Sequence, residues 1–162
     1  MALEFKRSNI IQGGLIYALG DSVAALITDD FDWYRMVGIM IIGATLYAFE
    51  IPNYFKWIDR KIQGNNTFKS ASQRALLAML YFNPLWIARH ILLIRLFTAS
   101  TADIGWNLLV IGGISFLVNI PVSFFANYLI QNKINLKHRF IASAIFSGIM
   151  AVYYSLSDVL FS

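Results

Sequence analysis

Five runs of apolar residues, 8–28, 35–55, 75–98, 104–130 and 140–161, take up nearly the whole chain. Each is about 20 residues or longer, the length an α-helix needs to cross a bilayer core of about 30 Å. The pattern predicts an all-α integral membrane helical bundle of about five transmembrane helices, with residues 1–162 forming a single transmembrane domain. Pro52, Pro84 and Pro121 all fall inside these runs. Membrane helices tolerate proline, so kinks are expected in the third and fourth helices, while Pro52 sits too close to a helix end to bend much. Small residues recur at helical spacing: Gly14, Ala18 and Ser22, then Ala44 and Ala48, then Ser143, Ser147, Ala151 and Ser155. They predict faces of close helix–helix packing, with widening of a pore as the other use of small side chains.

Composition agrees with that pattern. Hydrophobic residues make up 58% of the chain, charged residues only 14%, and the mean hydropathy is +0.60. A soluble domain carries about 25% charged residues. There is no cysteine, which rules out disulfides, thiol nucleophiles and thiolate metal sites. The net charge of +4 matters less than its distribution. Lys6 and Arg7 precede the first run and Asp29, Asp30 and Asp32 follow it. Lys56, Arg60, Lys61, Lys69 and Arg74, with Asp59, lie between the second and third. Asp103 follows the third, Lys133, Lys137 and Arg139 the fourth, and Asp158 lies near the end. Basic and acidic ends alternate, and the basic clusters predict a cytoplasm-like side holding the N-terminus and the loops at 56–74 and 131–139, with the C-terminus opposite. Trp33, Trp57 and Trp106 fall at helix ends, where indole rings favour the headgroup layer, and only Trp86 is mid-helix.

Polar residues inside the runs carry the functional information, because an ionisable group at mid-helix costs about 2.5–3.5 kcal/mol on insertion scales. The ionisable set is Asp21, Glu50, Arg89 and His90, with Asn83, Asn119 and Asn127 as neutral companions. At the helical rise, Asp21 lies about 20 Å and Arg89 about 21 Å from the basic side. Matched depth predicts an Asp21–Arg89 pair, with His90 beside it, acting either as a structural clamp or as the charged lining of a pore. Glu50 is placed near the basic face as an anchor for Arg74 or Arg139.

Several stretches resemble a known family. "GD" at 20–21, "DWYR" at 32–35, Gly43 and "NYFKWIDRK" at 53–61 are similar to the first half of the peroxisomal membrane protein 22 kDa family, which includes mitochondrial inner-membrane proteins of the Mpv-seventeen type. "NIPVSFFANY", through Pro121 and Asn127, and "HRFIASAIFSGIMAVYYSLS" resemble its second half. The chain departs from the family pattern at Ala25, Ala48, Phe49, Ile120 and Met150, and reads as a divergent, bacterial-type member. The resemblance implies a small multi-spanning protein that forms a channel or permeability pathway for small solutes or ions. It also implies the mitochondrial inner membrane or the peroxisomal membrane, with a bacterial inner membrane, or a host organelle if the protein is delivered there, equally open.

Enzyme chemistry is not expected. HExxH, GxGxxG, Walker and GxSxG motifs are absent, and His90 and His138 are too few soft ligands for a zinc site. No cofactor or metal is expected. The expected partners are membrane lipid, small solutes or ions and further copies of the chain, and nucleic acid is not among them. "NNT" at 65–67 matches a glycosylation acceptor but lies on the basic side, where it is expected to stay unused. The loop "DRKIQGNNTFKSASQR" reads as a topology-determining basic loop, with binding of anionic headgroups or of a partner as the alternative. The first run has no cleavage pattern and is expected to stay as a span. The second function class is a non-transporting scaffold or assembly protein. It predicts a dry, fully packed bundle with Asp21 and Arg89 locked together, whereas a channel predicts that water reaches Asp21.

Overall fold

The computed structural model describes residues 3–63, 67–98 and 104–161, with the side chains at 151 and 154–161 excluded. Asn65 and Asn66 of the glycosylation sequon, Asp103, and the side chains of Ala151, Ser155 and Asp158 therefore lie outside the described residues. The architecture is all-α, with no strand among the described residues. The helices are α1 (Arg7–Ile27), α2 (Trp33–Ile42), α3 (Ala48–Lys61), α4 (Phe68–Tyr81), α5 (Pro84–Phe97), α6 (Asn107–Lys133) and α7 (Leu136–Phe161). A single π-helical turn, Gly43–Tyr47, joins α2 to α3. Four segments are long and apolar enough to cross a membrane: Arg7–Ile27, Trp33–Lys61, Phe68–Phe97 and Asn107–Lys133. These four spans are compatible with an integral membrane protein, and α7 is the fifth long helix.

Local chemistry explains where the helices start and stop. The Asp32 side chain caps α2 by accepting from the Arg35 backbone N–H at 2.9 Å. Asn83 caps α5 by accepting from the Trp86 N–H at 3.0 Å, and Pro84, the first residue of that helix, lacks the N–H the first turn would leave unpaired anyway. The third span was expected to kink; it breaks instead. Proline disfavours helical geometry at the residue before it, and Asn83 is extended at φ −70° and ψ 174°. In α6, by contrast, Pro121 is accommodated within one uninterrupted helix. The third span also begins near residue 68 rather than 75, because the polar turn around Lys69–Arg74 is helical although it carries little apolar signal. The π turn has no proline to announce it. A Cβ on its Gly43 would lie 2.6 Å from the Gly13 carbonyl oxygen, so α1 touches the turn backbone to backbone.

The bundle buries an apolar core together with a set of polar side chains, and turns further large apolar residues outward. α1 packs chiefly on α7, the π turn and α2, and α6 holds α4 and α5 on one side and α7 on the other. Glycine sets the α1–α7 approach, since a Cβ on Gly20 would meet the Gly148 Cα at 2.5 Å. Of the small residues picked out as packing faces, Gly14, Ala18, Ala48, Ser143 and Ser147 are buried, whereas Ser22 and Ala44 are only partly so. Ile51, Phe55 and Ile58 form the buried face of α3, continued by Tyr47 at the end of the π turn, while Leu19, Leu117, Phe125 and Ile149 are exposed, as a lipid-facing surface requires. Trp33, Trp57 and Trp106 are exposed at helix ends, and Trp86 is buried.

Candidate functional site in a mid-membrane groove

The Asp21–Arg89 pair expected from matched depth does not form. Asp21 is held by Arg35, whose Nε donates to Oδ2 at 2.8 Å and whose Nη2 donates to Oδ1 at 2.9 Å. This is a two-pronged guanidinium–carboxylate contact, a strong geometry for such a pair. Arg35 Nη1 also reaches Asp30 at 2.9 Å. The Asp21 and Arg35 side chains are 2% and 4% exposed, so the pair is sealed. Depth misled because it fixes one coordinate only. α5 is not among the main neighbours of α1, whereas α2 is. Asp21 lies six residues before the end of α1 and Arg35 two residues after the start of α2, about 9 Å and 3 Å of rise respectively, and the long arginine side chain spans the difference of about 6 Å across the short turn. The sequence held a signal for this partner: the two residues sit in the "GD" and "DWYR" segments that a tight helical hairpin places together.

Arg89 pairs with Glu50 instead. Its Nη2 donates to Oε2 at 3.0 Å and its Nη1 to Oε1 at 3.3 Å, and the Tyr81 hydroxyl donates to Oε2 at 2.6 Å. Glu50 therefore anchors neither Arg74 nor Arg139. Arg139 is paired with Asp59 at 2.6 Å, and Arg74 donates to the Asn132 side chain at 2.9 Å and the Ile62 carbonyl at 3.3 Å. Glu50 was assigned to the basic face because the second span was expected to end near residue 55. The helix runs on to Lys61, which puts Glu50 about 16 Å from that end, near the middle of the Trp33–Lys61 segment.

Around this pair lies a groove of about 480 Å³ lined by Glu50, Tyr54, Leu80, Tyr81, Asn83, Leu85, Trp86 and Arg89. It sits at the break between α4 and α5, where the chain leaves helical geometry. A second groove of about 480 Å³ shares Leu85 and Arg89 and extends to Ile104, Trp106 and Leu109, toward the acidic end. Both are open rather than enclosed. The ion pair is half-buried, with Glu50 29% and Arg89 35% exposed. Arg89 lies 5.6 Å over the Tyr47 ring. Two buried donors at the groove, Trp86 Nε1 and Arg89 Nε, have no hydrogen-bond partner among the described residues.

The structure thus brings Glu50, Asn83 and Arg89 together and leaves the other named residues outside. His90 is buried behind the groove, sharing a 3.0 Å hydrogen bond with the Tyr47 hydroxyl through Nδ1 and stacking on Trp86 at 5.5 Å. The π turn carries Tyr47 into that position, and such turns recur at functional sites. Asn127 is spent within its own helix, donating to the Ser123 carbonyl at 2.9 Å. It belongs to a buried polar seam spaced every four residues along α6: Ser115, Asn119, Ser123, Asn127 and Gln131. Only its two asparagines were singled out from sequence, although the spacing was there to read.

The fold is that of a small all-α bundle with helices apolar enough for a membrane, carrying a sealed ion pair at Asp21–Arg35 and a half-exposed one at Glu50–Arg89. Comparison with known proteins returns nothing further: no family model, no curated protein and no solved structure matches the chain.

Proposed function

We propose that the protein gives small polar solutes or ions a pathway across a membrane, and that the groove around Glu50 and Arg89 is the membrane-embedded part of that pathway. One observation carries the reading: an ion pair near the middle of the Trp33–Lys61 segment is about a third exposed. Charges at that depth are costly in hydrocarbon, so the groove must hold water or meet another chain. A wet groove running from Glu50 past Arg89 to the Trp106 end is half of a permeation path, with acceptor and donor groups set side by side to accept solutes of either sign. A second copy facing the groove would complete its wall. The family likeness points the same way and to an organellar membrane, mitochondrial inner or peroxisomal, with a bacterial inner membrane as the other setting. The basic clusters orient the 56–74 loop toward the cytoplasm-like side.

A non-transporting scaffold is the second reading: the Asp21–Arg89 lock expected of it does not form, but the sealed Asp21–Arg35 pair supports it by keeping dry the Asp21 that a channel was expected to open to water. Solute release from liposomes holding the purified protein separates the two. Release above a heat-inactivated control that falls in Glu50→Gln and Arg89→Gln supports the pathway. No release for ions or small metabolites, over several voltages and pH values, supports the scaffold.

A further inference from the structure

At the basic end of the bundle, away from the groove, lies a more enclosed cavity of about 460 Å³ between the start of α1, the later turns of α3 and the start of α7. Lys6, Lys56, Lys137 and His138 line it, with Glu4, Asn9 and Gln12. Three lysines against one glutamate leave a net charge of +2 with His138 neutral. Glu4 is not a stray side chain. Its backbone N–H donates to Asn53 Oδ1 at 3.0 Å and its carbonyl accepts from Asn53 Nδ2 at 2.9 Å, which fixes the segment ahead of α1 against α3. So docked, the Glu4 carboxylate contacts both Lys56 and Lys6. An acidic group already bridges two of the three lysines, and Lys137 carries no such partner among the described residues.

A cluster of lysines alone would be a solvated face. Here a further feature points to a ligand: Asn9 lines the cavity, is 9% exposed, and its side-chain amide makes no hydrogen bond with the described residues. Its amide is not among the buried unpaired groups, so in an otherwise buried residue the polar atoms face the cavity, where their partner is water or a bound molecule. Gln12, half-buried one turn further along α1, adds a second amide to the same wall. Ammonium groups from three helical segments together with amide donors are what the oxygens of a phosphate accept.

We propose that this cavity is a binding site for a phosphate-bearing anion, held by Lys56, Lys137 and Lys6 with Asn9 and Gln12 as neutral donors, and that Glu4 competes with it for the lysines. The phosphate is either that of an anionic lipid headgroup or that of a small soluble molecule. The site differs in kind from the basic stretch where α3 ends and α4 begins, in which Lys61 and Lys69 are exposed.

The test uses the full chain in detergent with two probes: phosphatidylglycerol against phosphatidylcholine, read by native mass spectrometry, and inorganic phosphate, read by calorimetry. One of the two phosphate probes binds saturably, and phosphatidylcholine does not. Lys56→Gln/Lys137→Gln weakens binding about tenfold or more, as loss of two near-surface lysines requires. Lys61→Gln/Lys69→Gln removes the same charge from the same end and changes affinity less than about twofold. Glu4→Gln tightens binding, a gain that misfolding cannot produce. Phosphatidylglycerol retained without any binding of inorganic phosphate assigns the site to a lipid headgroup, and inorganic phosphate that binds and displaces phosphatidylglycerol assigns it to a soluble phosphate. The proposal is overturned if neither probe binds saturably, if the two lysine pairs weaken binding equally, or if Glu4→Gln weakens it.

Discussion

Asp21–Arg35 and Glu50–Arg89 are the same chemistry in two settings. Each is a carboxylate gripped by both prongs of a guanidinium, and each is carried on apolar helices. The first is sealed near the acidic end, with a second carboxylate, Asp30, sharing the arginine. The second is half-exposed near the middle of the Trp33–Lys61 segment, with a tyrosine hydroxyl sharing the carboxylate. The contrast teaches that the pair most costly to disturb is not the pair best placed to act. A sealed pair has no access to a solute and serves the fold. An open pair at depth needs water or a partner, and that need ties it to function.

The largest expected effect comes from breaking the sealed pair. Asp21→Asn leaves Arg35 buried with only Asp30, and loss of one member of a buried pair costs about 3–5 kcal/mol. Unfolding in detergent should show that loss, and Asp21→Leu/Arg35→Met should recover most of it because neither charge is then buried. A double variant no more stable than Asp21→Asn would show that the pair is not the clamp.

Next is the packing that keeps that pair dry. Gly20→Val places methyl groups against the Gly148 backbone, and forcing apart a tight helix contact costs about 1–3 kcal/mol. The same unfolding assay reads it, and a neutral result would mean that α1 and α7 do not hold this approach.

Glu50→Gln and Arg89→Gln should cost little stability, about 1 kcal/mol or less, since a partly solvated ion pair contributes modestly. Solute flux should fall sharply in both. If the groove were filled by lipid tails instead of water, each single variant would strand a charge in hydrocarbon at about 2.5–3.5 kcal/mol. The two variants therefore report the solvent of the groove as well as its role.

The smallest effect concerns Glu4. Its hydrogen bonds to Lys56 and Lys6 hold its carboxyl below the ordinary value of 4.5. A lowered folded-state pKa adds stability that is fully present above pH 4.5 and fades as the pH falls below it, through the folded value. Glu4→Gln should remove that acid sensitivity from the docking of the N-terminal segment, measured by protease protection at residues 3–6 across the titration.

Much of the fold was legible because a membrane makes hydropathy nearly decisive: the helical class and the places of the long helices follow from runs of apolar residues. What was not legible has local causes. The break at Asn83–Pro84 and the intact helix through Pro121 come from the same residue type, and only the neighbouring asparagine, free to cap, separates them. Depth along a helix placed Asp21 and Arg89 at one level but could not say which helices are neighbours. Glu50 was misplaced because apolarity fades before Lys61 although the helix does not. Arg35 was missed as a site residue since it stands at a helix start, where charge is usual. Its pairing required the hairpin geometry.

Thiol accessibility across the two settings is the most direct test, and the cysteine-free chain allows it without background. Leu85, in the groove, and Leu117, on the outer face of α6, are 67% and 66% exposed, so they differ only in what solvent meets them. Ala25, 1% exposed, reports the sealed region one helical turn from Asp21. A charged, water-soluble thiol reagent reacts only where water lets the thiolate form. In liposomes, Leu85→Cys should be modified within minutes while Leu117→Cys and Ala25→Cys stay unmodified; a Leu85→Cys as silent as Leu117→Cys would show that the groove around Glu50 and Arg89 faces lipid, and would contradict the account.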